Sequence, residues 1–300
     1  MGEYSIVTGF FAQDDPDADG VAIGALPDRF GLLDDSPQRW QKFKQRIDEL
    51  NATAPENTQY KVFFFVRHGQ GYHNVAEAKY GTEDWDEHWS KLTDDGKILW
   101  GPDPDLTSVG VAQAQAVRKL WEAERKHGLP LPERHYASPM RRALRTWHEI
   151  FVNDGLLAEH KSRVMILEVS YMIDTGLKTR DFPPPIYEFE DGFSEEDILW
   201  RPDERESKAH VQERAQAVMD RIFSSDKDSY ICITAHSGII NGFIAAMGRP
   251  RYPLPTGGKW LPYSKGRNND DVDHSPIGIL PVVIKGVAID PDGMPPEARR

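Results

Sequence analysis

The sequence predicts a three-layer α/β/α domain, a mostly parallel sheet with helices on both faces, and three observations carry that expectation. Tyr60–Val66 is a short, continuous apolar run rich in aromatics, the pattern of a strand buried on both faces. Further short apolar runs at His135–Ala137, Val164–Val169 and Tyr230–Ala235 alternate with segments of helical periodicity. Strands that alternate with helices favour parallel pairing, because parallel neighbours need a long crossover between them. The third observation is size: 300 residues, 39% hydrophobic and 28% charged, suit one large globular domain.

Taken in order, residues 1–58 read as an N-terminal extension with one amphipathic helix near Ser36–Leu50 and the loop Asn51–Thr58. After the aromatic strand, Val109–Lys126 places Val109, Ala112, Ala116, Val117 and Leu120 at helical spacing, with Gly128 as a C-cap. Helices are expected at Met140–Val152, Lys208–Phe223 and Ile239–Met247, the second with Ser207 as N-cap. The Pro- and Asp-rich stretch 258–276 reads as a surface loop inserted before a final strand, Ile279–Ile289. There is no internal repeat, so residues 1–300 are expected to form one domain.

Composition narrows the partners. A net charge of -12 disfavours nucleic acid and anionic membrane surfaces, which repel an acidic surface. It is compatible with a small phosphorylated molecule, since clustered Arg and His can invert the field inside a pocket. No stretch is apolar enough to span a bilayer, and Met1–Ile6 lacks the features of a signal peptide. The single cysteine, Cys232, excludes an internal disulfide and reads as a buried core residue. Together these make a cytoplasmic location the expectation.

In open α/β sheets, sites form at the carboxyl ends of the strands. Two such ends carry chemistry here: Arg67-His68-Gly69 after the first strand, and His236-Ser237-Gly238 after Tyr230–Ala235. Phosphoryl transfer needs a nucleophile, several cationic or N–H donors around three oxygens, and an acid for the leaving group. A neutral imidazole can attack phosphorus, a following glycine allows close approach, and Arg matches phosphate oxygens with paired donors. No metal is needed for this chemistry, and no cofactor is expected.

The segment Arg67-His68-Gly69-Gln70-Gly71-Tyr72-His73-Asn74 resembles the RHG signature of the histidine phosphatase (phosphoglycerate mutase-like) superfamily. Other segments resemble that family in its own order. They are Leu106-Thr107 with Gly110 and Gln113-Ala114, Ser138-Pro139-Met140-Arg141-Arg142-Ala143 with Thr146, and Thr234-Ala235-His236-Ser237-Gly238. Gly192–Asp197 and Leu254–Gly257 are similar to segments of the fungal-type members. The resemblance implies His68 as nucleophile, with Arg67, Asn74, Arg142 and His236 binding the phosphoryl group and His236 also stabilising the transition state. It implies that Gly69 and Gly71 permit close approach, that Gln70 contacts the pocket, and that a helical cap built from Tyr72–Pro104 and Leu177–Asp203 is inserted into the fold. The family's proton-donating Glu has no counterpart in register in Val169–Gly176; Asp174 is the nearest acid and Glu168 the alternative.

Other residues have plainer readings. His73 is expected to orient the loop and lies outside the site; Arg141 and Arg145 solvate a helix start; the acidic run Glu188–Asp197 is a solvated loop. Trp85, Trp89 and Trp100 either cap the pocket or pack together. The expected activity is hydrolysis of a small phosphate ester through a phosphohistidine. A phosphomutase, a specialised diphosphate hydrolase of secondary metabolism and a non-catalytic phosphate-binding protein remain as alternatives. No E-R-x-Y-G segment of the kind phosphoglycerate mutases carry is present, which favours hydrolysis. The oligomeric state is not legible in the sequence.

Overall fold

The computed structural model describes residues 1–153, 156–157, 163–167, 187–189, 206–254 and 277–287. Its elements run β1 (Glu3–Val7), α1 (Gly20–Ile23), α2 (Arg39–Ala52), β2 (Thr58–Arg67), α3 (Tyr72–Tyr80) and α4 (Thr82–Glu87). They continue with α5 (Ser108–Arg125), β3 (Arg134–Ala137), α6 (Arg141–Phe151), β4 (Val164–Ile166) and β5 (Tyr187–Phe189). The remaining described elements are α7 (Lys208–Ser225), β6 (Tyr230–Ala235), α8 (Ser237–Ala246) and β7 (Ile279–Val287).

The strands form one sheet in the order β1-β7-β2-β6-β3-β4-β5. β2, β6, β3, β4 and β5 are parallel to one another, and β7 lies antiparallel between β2 and β1. The α/β architecture with a mostly parallel sheet is therefore as the sequence predicts. In β2 the apolar run divides by period two. Val62, Phe64 and Val66 join Trp40, Val117, Trp121 and Trp147 on one face, and Phe63 and Phe65 join Phe223, Ile240 and Phe243 on the other. β6 divides the same way, with Tyr230 and Cys232 on the first face and Ile231, Ile233 and Ala235 on the second. Helices α2, α5 and α6 cover one side and α7 and α8 the other, so both cores press on the two strands that carry the site.

Helix starts follow their caps. Thr107 accepts a bond from the Gly110 N–H at 3.1 Å to open α5, and Ser207 accepts one from the His210 N–H at 3.2 Å to open α7. Cys232 is buried in the core with its thiol pushed up to about 12 by burial, an inert packing residue as expected.

Three features differ from the sequence reading. Within residues 1–58, Glu3–Val7 pairs with β7 as an edge strand, and Phe11, Phe30 and Trp40 are core residues. Five residues with little alternation gave no strand signal; their pairing comes from β7, far away in sequence. Tyr187–Phe189, inside a region expected to build the cap, forms the edge strand β5 parallel to β4. Of the expected strand Val164–Val169, Val164–Ile166 is strand and Leu167 is not, while residues 168–169 lie outside the described residues. The loop 258–276 and most of Leu177–Asp203 lie outside the described residues.

Candidate active site

Parallel pairing brings three strand ends together. Arg67 stands opposite Ala235, and Ala137 opposite Thr234, so Arg67-His68, Ser138 and His236 leave the sheet at the same end. The His68 N–H donates to the Ala235 carbonyl at 2.9 Å, tying the two histidine-bearing ends to each other. The rings of His68 and His236 lie 4.9 Å apart between centroids. His236 Nε2 is 2.9 Å from Ser138 Oγ, so the Ser-Pro turn after β3 fixes that ring.

The loop 68–71 is held by the start of α5, which explains the spacing of Thr107, Gly110 and Gln113. A Cβ on Gly69 would come within 2.5 Å of the Gly110 carbonyl oxygen, and one on Gly110 within 2.2 Å of the Gln70 carbonyl oxygen. Both positions must be glycine for the two backbones to touch. The Gln70 N–H donates to Gln113 Oε1 at 2.8 Å, the Thr107 N–H to the Gln70 carbonyl at 2.9 Å, and the Thr107 hydroxyl to Gln70 Oε1 at 2.8 Å. Gln70 is thus engaged with α5. The Gly69 N–H donates to Thr146 Oγ1 at 3.0 Å, and that hydroxyl donates to the Arg142 carbonyl at 2.7 Å, joining the loop to α6. Asn74 turns back so that its Oδ1 accepts from the Gly71 N–H at 3.0 Å, leaving its amide NH₂ as a donor.

His68 is 3% exposed, and its Nδ1 lies 2.7 Å from the Gly69 carbonyl. A carbonyl can only accept, so Nδ1 carries the proton and Nε2 the lone pair. Arg142 is 2% exposed, with Nη1 3.5 Å from Asp103 Oδ1; Asp103 also accepts from the Arg141 N–H at 3.0 Å. Arg67 donates through Nη1 to the Leu254 carbonyl.

Burial, then the Arg142 and Arg67 charges, hold the His68 imidazole well below 6.5. His236 is lowered likewise, by burial first and then by Arg142, His68, His73 and Arg67. Burial also lowers both arginines to about 10, which leaves them charged at neutral pH. The site therefore offers neutral imidazoles beside two cationic guanidiniums, an arrangement suited to a multiply charged oxyanion.

Arg67, His68, Arg142 and His236 are brought together, with Asn74 on the adjoining turn. Asp174 and Glu168 lie outside the described residues. His73, set aside in the sequence reading, has its ring 5.3 Å from that of His68. Asp103 was not singled out; an acid 39 positions before its arginine partner leaves no local signal. Arg141 and Arg145 are half-exposed and pair with Asp105, at 3.7 and 2.9 Å, rather than being only solvated. Tyr80 stacks on Trp89 at 3.9 Å, and Trp100 meets Trp85 and Trp89 at 5.6 and 6.2 Å, so these tryptophans pack together. Within the acidic run, Glu188 pairs with Arg163 at 2.7 Å. Among the described residues, no helix is long and apolar enough to cross a membrane.

The family model for the histidine phosphatase superfamily (branch 1) matches residues 63–255, which spans every residue of this cluster. The chain belongs to that superfamily. It is 34% identical to a protein named Probable phosphoglycerate mutase from Arthroderma benhamiae, covering 95% of this chain and 90% of the relative. It is 32% identical to Phosphomutase-like protein 3 of Candida albicans, covering 86% of this chain and 78% of that one. Probable phosphoglycerate mutase PMU1 of Saccharomyces cerevisiae is 31% identical over 70% of this chain and 81% of its own.

Proposed function

We propose that this protein is a phosphatase that hydrolyses a small phosphate ester through a phosphohistidine on His68, without a metal. The observation that carries the reading is the contact from His68 Nδ1 to the Gly69 carbonyl. It points the lone pair of a neutral imidazole outward from Nε2, beside His236, Arg67 and Arg142. In the first step Nε2 attacks phosphorus, the P–N bond forms and the ester P–O bond breaks. The leaving oxygen takes its proton from an acid, for which Asp174 and Glu168 are the candidates. Water then attacks phosphorus, giving a proton back to that carboxylate as the P–N bond breaks, which releases inorganic phosphate and restores the neutral imidazole. The guanidiniums and the Asn74 amide supply charge and donors to the three phosphoryl oxygens.

The names of the curated relatives favour a second reading, a mutase that returns the phosphoryl group to its substrate. The lack of an E-R-x-Y-G segment speaks for hydrolysis. Phosphate release from a panel of monoesters and diphosphates, 3-phosphoglycerate included, would be measured in chelator with wild type and His68→Ala. The expected outcome is turnover that falls at least about a thousandfold in the variant, since a missing nucleophile leaves only binding to assist water. Isomerised phosphoglycerate without phosphate release would support the mutase. Phosphate binding with no turnover by wild type on any substrate would sink both in favour of a binding protein.

A further inference from the structure

His73, in the first turn of α3, lies back over the loop that precedes it. A Cβ on Gly71 would stand 2.7 Å from its Nδ1 and 2.8 Å from its Cε1. Gly71 has φ -100°, a conformation any residue adopts, so it is the space under the imidazole and not the backbone that calls for glycine. The ring placed there lies 5.3 Å from that of His68, and its Nδ1 is buried with no hydrogen-bond partner among the described residues. His236 Nδ1 is in the same condition.

The groups acting on His73 are Arg67 and His68 from the end of β2 and Arg142 from α6, and His73 in turn acts on His236 after β6. Among the described residues the nearby carboxylates are directed elsewhere: Glu77 acts on Arg67, Asp103 pairs with Arg142, and Asp105 pairs with Arg141 and Arg145. Near Gly71, Asp105 presents its backbone carbonyl. A buried imidazole nitrogen without a partner is unfavourable in an otherwise sealed interior. It is useful where an oxyanion arrives.

We propose that His73 is a third imidazole of the phosphoryl-binding site, donating a ring N–H to a phosphoryl oxygen and taking up a solvent proton as the dianion enters. This deepens the phosphatase reading and rests on it for the identity of the anion. Burial and the two guanidiniums keep His73 neutral in the empty site, holding it well below 6.5. A dianion between those guanidiniums reverses the local field and favours the imidazolium, which then binds oxygen by a charge-assisted bond.

The test is calorimetric titration of the full chain with inorganic phosphate, in buffers of different ionisation enthalpy so that proton uptake is read directly. His73→Gln is expected to weaken phosphate binding roughly tenfold or more and to reduce proton uptake, the loss anticipated for one charge-assisted hydrogen bond. Phosphate affinity within about twofold of wild type, with uptake unchanged, would overturn the proposal. Gly71→Ala covers the case of a variant that does not fold, because it keeps His73 and displaces only its ring. It is expected to weaken binding too, and to add nothing in a Gly71→Ala/His73→Gln double variant. Unaltered affinity in Gly71→Ala would count against the proposal. These are equilibrium readouts: they stand if wild type releases no phosphate, which would fail the phosphatase reading alone. A wild type that binds no phosphate would overturn both.

Discussion

Strand β2 carries a cation near each end, Lys61 buried and Arg67 half-buried, and the two are treated in opposite ways. Lys61, near the amino end, is 1% exposed and donates to the Asp226 and Asp228 carbonyls, each at 2.7 Å. The Asp226, Asp228 and Glu133 carboxylates offset part of its burial cost. Among the described residues, Arg67, six residues on, sits with Arg142 and three neutral imidazoles, with Glu77 acting on Arg67 and Asp103 on Arg142. One cation is held by backbone carbonyls with three carboxylates near it; the other lies among imidazoles and beside a second guanidinium. On the proposed function the first is a structural cation, complete without a ligand, and the second a binding cation whose charge meets the incoming anion.

The sharpest break of this comparison is Arg142→Lys. Lysine keeps the charge but loses the paired donors, so kcat/KM is expected to fall about a hundredfold with little change in thermal midpoint. Steady-state kinetics and a melting curve check it, and a variant as active as wild type would remove Arg142 from the phosphoryl site.

At the other end, Lys61→Met should do the reverse. It leaves two carbonyls at the end of α7 without their donor, a loss of about 2 kcal/mol in denaturant unfolding, while turnover stays near wild type. A large loss of turnover with stability intact would erase the contrast between the two ends.

A smaller effect comes from acid. His135, packed between Trp147 and Phe151, belongs to neither end, and burial lowers its pKa to about 3. The unfolded chain therefore binds a proton first as pH falls below the ordinary histidine value. The stability that His135 contributes is present above that value and is lost progressively as pH falls towards 3. The loss should be about 1 kcal/mol at pH 5.5, and His135→Phe should flatten that slope in pH-dependent melting. An unchanged slope would assign the acid sensitivity to the site histidines.

The central strands were legible because their physics is local. The run at Tyr60–Val66 needs only hydrophobicity and a period of two to declare itself, and the residues after β2 and β6 inherit their position from it. What was not legible depends on partners distant in sequence. Glu3–Val7 becomes a strand only against β7, and Tyr187–Phe189 only against β4. Asp103 matters through Arg142 and the Arg141 N–H, both far from it in sequence. His73 looked like a loop residue because the pocket under its ring is made by the absent side chain of Gly71, and an absence carries no periodicity. Gly69 shows the same limit: the sequence suggested room for a ligand, whereas the structure fills that room with Gly110.

The placement of β7 bears on how the chain comes to be folded at all. β7 completes the hydrogen bonding of β2 on the side away from β6, and among the described strands it is the one that pairs with β1. Val66 and Ile279 pair across about two hundred intervening positions, a closure of high contact order. During synthesis the strand that leads to His68 therefore keeps a bare edge until that distant segment leaves the ribosome, with β1 waiting beside it. Such an edge is an opening for mispairing with other nascent chains. The last described strand thus acts as the closing stave of the sheet, and the proposed phosphate pocket is expected to be assembled late, only after it arrives.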